Sequence, residues 1–201
     1  MTPNRTALML IDRYLPTFDE TYIYEASVNA TPDALYAAMK ETNLRDPVID
    51  VLFELRELPR NLARRWRGEP PLPSPSRVTF GEMAKQGPAW VVLQEEPGVE
   101  LVIGAVGRFW QKDYGNRALS SAEFIPFSEP GFAKLALSLA VRSAGDGSIL
   151  RYEARIAATD DAARRTFRRY WRVIGAGVGV VMRRVVRRIK HEAERSALQC
   201  T

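Results

Sequence analysis

From Thr159 to about Leu198 the chain reads as one amphipathic helix, and a helix of that length obliges the rest of the molecule to supply a covering surface. Thr159 is the expected N-cap, with Asp160 and Asp161 in the first turn, where the helix dipole favours negative charge. Phe167, Trp171, Ile174, Val178, Val181 or Met182, Val185 and Ile189 recur at steps of three and four and form one stripe. The opposite face carries Arg164, Arg165, Arg168, Arg169, Arg172, Arg183, Arg184, Arg187, Arg188 and Lys190, and is expected to be wet. Gly175, Gly177 and Gly179 interrupt the pattern at a cost of about 1 kcal/mol each relative to alanine. A bend, or the close approach of another group, would account for them. They are no dinucleotide loop, because the third glycine is missing at the required offset and the run follows helical periodicity.

With 201 residues, 46% of them hydrophobic, the chain can bury one sizeable core. No break in composition divides it, so an arm over residues 1–20 and a single domain over 21–198 are expected. The apolar runs Ala7 to Ile11 and Val173 to Met182 are too short for a signal core or a membrane span, which predicts a soluble, cytoplasmic protein. The lone Cys200 excludes an internal disulfide. The formal charge of +5 is unevenly placed: Asp160 to Leu198 holds eleven Lys or Arg against four acids, a net +7, leaving the remainder at −2. Such a face attracts anionic surfaces, although an exposed helix also needs charge simply to stay solvated.

The elements before the helix are spelled out by alternation and turn chemistry. Tyr22, Tyr24, Ala26 and Val28 alternate with Ile23, Glu25, Ser27 and Asn29 as in a half-buried strand. Thr31-Pro32 opens a helix to about Glu41, and Asp46-Pro47 opens a second one. Gly68 to Ser76 holds four prolines and reads as an extended connector. Strands are then expected near Arg77 to Ala84, Ala89 to Glu95, Val99 to Trp110, Ser121 to Phe127, Phe132 to Arg142 and Ser148 to Ala158. Glu96-Pro97-Gly98 and Glu129-Pro130-Gly131 supply turns, and Asp146-Gly147 a hairpin signal. Strands joined this way form an antiparallel meander.

The element order, with Ala30-Thr31-Pro32-Asp33-Ala34-Leu35-Tyr36 after the first strand and the passage from Tyr152-Glu153-Ala154-Arg155-Ile156 through Trp171, resembles the START-like or Bet v 1-like superfamily, the polyketide cyclase and lipid transport group. The resemblance covers roughly Phe18 to Ala193. It implies an α+β helix-grip fold, with a seven-stranded antiparallel curved sheet wrapped around the long C-terminal helix and two short helices after the first strand. It further implies an apolar cavity between sheet and helix.

Strand parity and the helical stripe nominate the residues of that cavity. They are Tyr24 on the first strand; Leu101, Ile103, Ala105 and Phe109 on the central one; Leu137, Leu139, Tyr152 and Ala154 on the last two; and Trp171, Ile174, Val178 and Met182 on the helix. Small residues opposite large ones leave room there. With His191 the only histidine, no Ser-His-Asp or Cys-His arrangement, zinc site or other metal site is evident, and no cofactor is expected. Glu100, Arg108, Arg151, Glu153 and Arg155 fall on the opposite parity and are expected to form an outer salt-bridge ladder.

Binding or carriage of a hydrophobic small molecule, such as a lipid, isoprenoid or polyketide-like compound, is therefore expected first, with no catalytic residue assigned. A cofactor-independent polyketide cyclase or dehydratase, polarising its substrate through Arg, Tyr or Glu, is the alternative. A third class is an interaction protein using the basic helix face, with weak contact to an anionic membrane surface. The lack of exposed aromatics among the arginines argues against nucleic acid. Oligomeric state is left open by the sequence.

Overall fold

The alternation read in the first strand is realised across one antiparallel sheet in a computed structural model, which describes residues 9–47, 78–83, 90–111 and 113–199. Strand β1 (Glu20–Val28) follows a short helix, α1 (Leu10–Tyr14), and leads into α2 (Pro32–Glu41). Thr31 caps α2 by accepting the amide of Ala34, with proline in the first turn. The remaining elements are α3 (Phe80–Met83), β2 (Val91–Glu96), β3 (Glu100–Gly107), α4 (Ser121–Phe124), β4 (Ala133–Ala144), β5 (Gly147–Ala158) and α5 (Asp161–Gln199). The sheet has five strands in the order β1-β5-β4-β3-β2, so the first strand closes against the last.

Two of the expected strands are helical turns, and the seven-stranded count falls to five among the described residues. Ser121–Phe124 forms α4 because Ser120 and Glu123 make a reciprocal capping box, a four-residue signal that outweighs the β-prone residues after it. In the same way the Thr79 hydroxyl accepts the amide of Glu82 and starts α3. The second helix expected after Pro47 and the proline-rich connector lie outside the described residues. The turns at Gly98 and Gly131 have the positive φ, 82° and 84°, that their Pro-Gly pairs demand. The β4–β5 hairpin turns one residue earlier than expected, on Gly145-Asp146, with φ of 60° at the glycine.

Both faces of the sheet are covered. On the concave face α5 crosses β1 and β5 beside α2, burying Met182, Val185, Val186, Ile189 and Ala193 against Leu150, Tyr152, Leu139 and Leu101. On the convex face α1 and α4 cover Val102, Val106, Ala136 and Leu93 with Ile11, Leu15 and Phe124. A third cluster closes one end of the grip, where Phe167 stacks on Trp171 at 5.6 Å and meets Trp110 edge-on at 6.3 Å.

The cap of α5 is Asp160 rather than Thr159. The Asp160 carboxylate accepts the amides of Ala162 and Ala163 at 2.7 and 2.9 Å and that of Gly131, which holds its pKa below the ordinary value. Thr159 is instead tied to the backbone of Phe132, through its hydroxyl and its amide. The carboxylate reaches two free amides of the first turn, where the hydroxyl one residue earlier does not.

Candidate functional site

The register places the expected site residues in rows across the concave face. Tyr24 pairs with Tyr152, Tyr152 with Leu139, and Leu139 with Leu101. In the next row Tyr22 pairs with Ala154, Ala154 with Leu137, and Leu137 with Ile103. These residues, with Val178 and Met182 of α5, belong to one apolar cluster. Phe109 and Trp171 lie apart, in the aromatic end cluster, because β3 stops at Gly107 and the chain turns before Phe109. Ala105 is buried, and Ile174 is half-buried on the central part of α5.

Burial along α5 is uneven. Phe167 is 2% exposed and Met182 through Ala193 include five residues at 5% or less, yet Trp171, Ile174, Val178 and Val181 between them are only half-buried. Val178 and Val181 nevertheless pack toward the concave core, beside half-buried Tyr22, Tyr24, Trp90 and Leu135. The middle of the helix thus turns Val178 and Val181 to the sheet while its apolar side chains stay partly exposed.

Gly179 resolves part of the glycine question. A Cβ at this position would lie 2.6 Å from Cζ of Tyr22, so the glycine lets the tyrosine ring reach the helix backbone. No such neighbour stands within 4 Å of Gly177.

Tyr152 is the polar group of this face. Its side chain is 7% exposed, and its ring meets Phe80 edge-on at 5.9 Å. Among the described residues its hydroxyl makes no hydrogen bond, and burial alone raises its pKa. Three strands over, on β2, Glu95 accepts hydrogen bonds from the Tyr36 hydroxyl at 2.8 Å and Lys40 at 2.6 Å, a pairing that occupies the one cation of α2.

The charged residues of opposite parity do face away from the concave side, but they are not the solvated ladder the sequence predicts. Glu153 is 1% exposed and Arg155 8%, because α1 and the segment after it lie over them. Arg155 bonds Glu153 at 2.7 Å, Asp12 at 2.7 Å and the carbonyl of Leu15 at 3.1 Å, and its guanidinium lies 4.9 Å from the Phe18 ring centre. Arg151 bridges Glu153 and Glu25. The Glu100 carboxylate accepts the amides of Leu10 and Ile11 at 2.8 and 3.3 Å and the Ser138 hydroxyl at 2.5 Å. Arg108 lies over the Phe132 ring at 4.4 Å from its centre, and Arg117 at 4.7 Å. Neither Arg108 nor Arg155 turns toward the concave face.

The basic face of α5 divides in two. Arg184 and Arg188 are half-buried and reach the buried Asp46, while Arg165, Arg168, Arg169, Arg172, Arg183 and Arg187 are exposed. A groove of about 990 Å³ lies between α2 and α5, lined by Ala34, Ala38, Asp46, Arg184, Arg188 and His191 among others. It contains none of the residues that strand parity nominates. Among the described residues no cluster of His, Cys, Asp and Glu has the makings of a metal site, and no helix is long and apolar enough to cross a membrane.

No protein-family model matches the sequence, and no curated protein matches it. Solved structures do. Protein MLL2253 from Mesorhizobium loti is 13% identical over 88% of this chain and 98% of its own, with a TM-score of 0.43. StfQ, a di-domain aromatase/cyclase of the steffimycin biosynthetic pathway, is 13% identical over 88% of this chain and 51% of its own, also at 0.43. Protein CV1439 from Chromobacterium violaceum is 13% identical over 88% and 99%, at 0.40.

Proposed function

We propose that the protein binds a hydrophobic small molecule between the concave face of the sheet and the central turns of α5. The observation that carries this reading is that Trp171, Ile174, Val178 and Val181 are only half-buried, with Val178 and Val181 packed toward the sheet, between buried Phe167 and the buried stretch from Met182 to Ala193 of the same helix. Apolar side chains turned inward but left partly uncovered gain from a guest that completes their burial, at about 25 cal/mol per Å² of apolar surface covered.

Carriage is favoured over catalysis by where the charged groups lie. Glu100, Arg151, Glu153 and Arg155 are engaged on the convex side, so the groups best suited to move protons do not meet a guest on the concave side. The tyrosines remain as its polar groups.

The test is uptake of an apolar fluorescent probe by detergent-free protein, read by titration and by native mass spectrometry. Wild type should bind and Val178→Trp should not, while circular dichroism of the two is unchanged. Absence of any bound species in wild type at probe saturation overturns the reading.

A second, weaker contact is supported by the six exposed arginines on the outer face of α5, among which Val173 is 81% exposed. A basic helix face carrying an exposed apolar side chain suits an anionic lipid surface.

A further inference from the structure

A buried hydroxyl without a partner is costly, because the group gives up its hydrogen bonds to water and receives nothing in exchange. Tyr152 is such a group, nine-tenths buried on β5 at the centre of the concave face. Phenylalanine would pack against Phe80, Leu139 and Tyr24 just as well, so the oxygen has no role in the apolar cluster itself. The two other tyrosines of this face, Tyr22 and Tyr24, likewise make no hydrogen bond to the described residues, but they are half-exposed and have access to water. Tyr152 does not.

We propose that the Tyr152 hydroxyl is the polar anchor of this chamber, and that the molecule bound there is apolar overall and carries a neutral carbonyl oxygen that accepts its hydrogen bond. This rests on the hydrophobic-binding reading above and narrows the ligand class. An acceptor is favoured over a donor because the phenol remains protonated, and a protonated phenol is a better donor than acceptor. A neutral acceptor is favoured over a carboxylate because Lys40, the one cation of α2, is already held by Glu95. An unpaired charge in an apolar chamber costs far more than a carbonyl.

Two probes of nearly equal shape, acetylnaphthalene and ethylnaphthalene, differ in the one oxygen at issue. Titrated by calorimetry into wild type and Tyr152→Phe, acetylnaphthalene should lose about fivefold or more in affinity on substitution, the worth of one neutral hydrogen bond. Ethylnaphthalene should hold within about twofold. A readout independent of the variant is the carbonyl stretch of acetylnaphthalene bound to wild type, which should fall below its value in an apolar solvent. An unshifted stretch, or equal changes for both probes on substitution, overturns the anchor and leaves the chamber standing. If neither probe binds wild type, the chamber reading itself falls.

Discussion

Tyr22 of β1 lies against the backbone of Gly179 in α5, so closely that a side chain at 179 would overlap its ring. The contact joins the edge strand to the final helix at the point where the helix passes from fully buried to half-buried. Gly179→Ala should therefore destabilise the protein although alanine is the better helix former. Gly177→Ala, with nothing within 4 Å, should stabilise it by about 1 kcal/mol. Thermal denaturation of the two variants, with Tyr22→Val added to relieve the overlap, checks the assignment. Equal gains in both single variants would show that position 179 is not constrained by the tyrosine.

The convex ion network predicts large effects where an exposed ladder would give small ones. Glu153→Gln leaves Arg155 and Arg151 facing a neutral amide beneath the N-terminal arm, and Arg155→Met leaves the buried Glu153 carboxylate with Arg151 alone. Breaking a buried pair from one side costs roughly 3 kcal/mol or more, against about 1 kcal/mol or less for a pair on the surface. Urea denaturation measures the difference. Faster amide exchange at Leu10 and Ile11 in Glu100→Gln would report release of the same arm.

Acid should loosen the start of α5. The Asp160 carboxyl has its pKa held below the ordinary 3.8 by the amides it accepts. A folded-state pKa below the unfolded one gives stability that is fully present above the unfolded value and is lost as pH falls through the folded one. Melting temperature should thus begin to fall as pH drops below about 5, and Asp160→Asn should make that decline shallower while leaving the neutral-pH fold intact. An unchanged acid limb in the variant would remove Asp160 from the account.

Contact with anionic vesicles should be weak and should vanish at high salt, since exposed charges are screened over about 10 Å at 0.1 M. Arg168→Gln, Arg169→Gln and Arg172→Gln together should abolish co-sedimentation without touching stability, because all three are exposed. Arg184→Gln should do the reverse: it removes a partner of buried Asp46 and lowers the melting temperature. Salt-resistant binding by the triple variant would contradict the outer-face reading.

The order of the main elements was legible because each is written locally: alternation for β1, β4 and β5, a proline-led cap for α2, Pro-Gly turns, and a three-and-four repeat for α5. Parity also groups side chains by face, and the register sets Tyr24, Tyr152, Leu139 and Leu101 in one row of the sheet. Where two local signals compete, side-chain capping prevails over β-propensity. Ser120 and Glu123 cap a helical turn within a stretch that β-propensity alone would make a strand.

What only the tertiary structure decided is what each surface touches. Parity puts Glu153 and Arg155 on the outer face, but periodicity carries no information about a segment 140 residues away folding over them, as Leu15 does over Arg155. The same holds for Gly179, whose cost in the helix is visible in the sequence while its cause, the ring of Tyr22, is brought there by the pairing of β1 with β5. Amphipathic period is a property of one element. Burial, and with it the partnerless hydroxyl of Tyr152, is a property of two elements meeting, and no single stretch of chain encodes it.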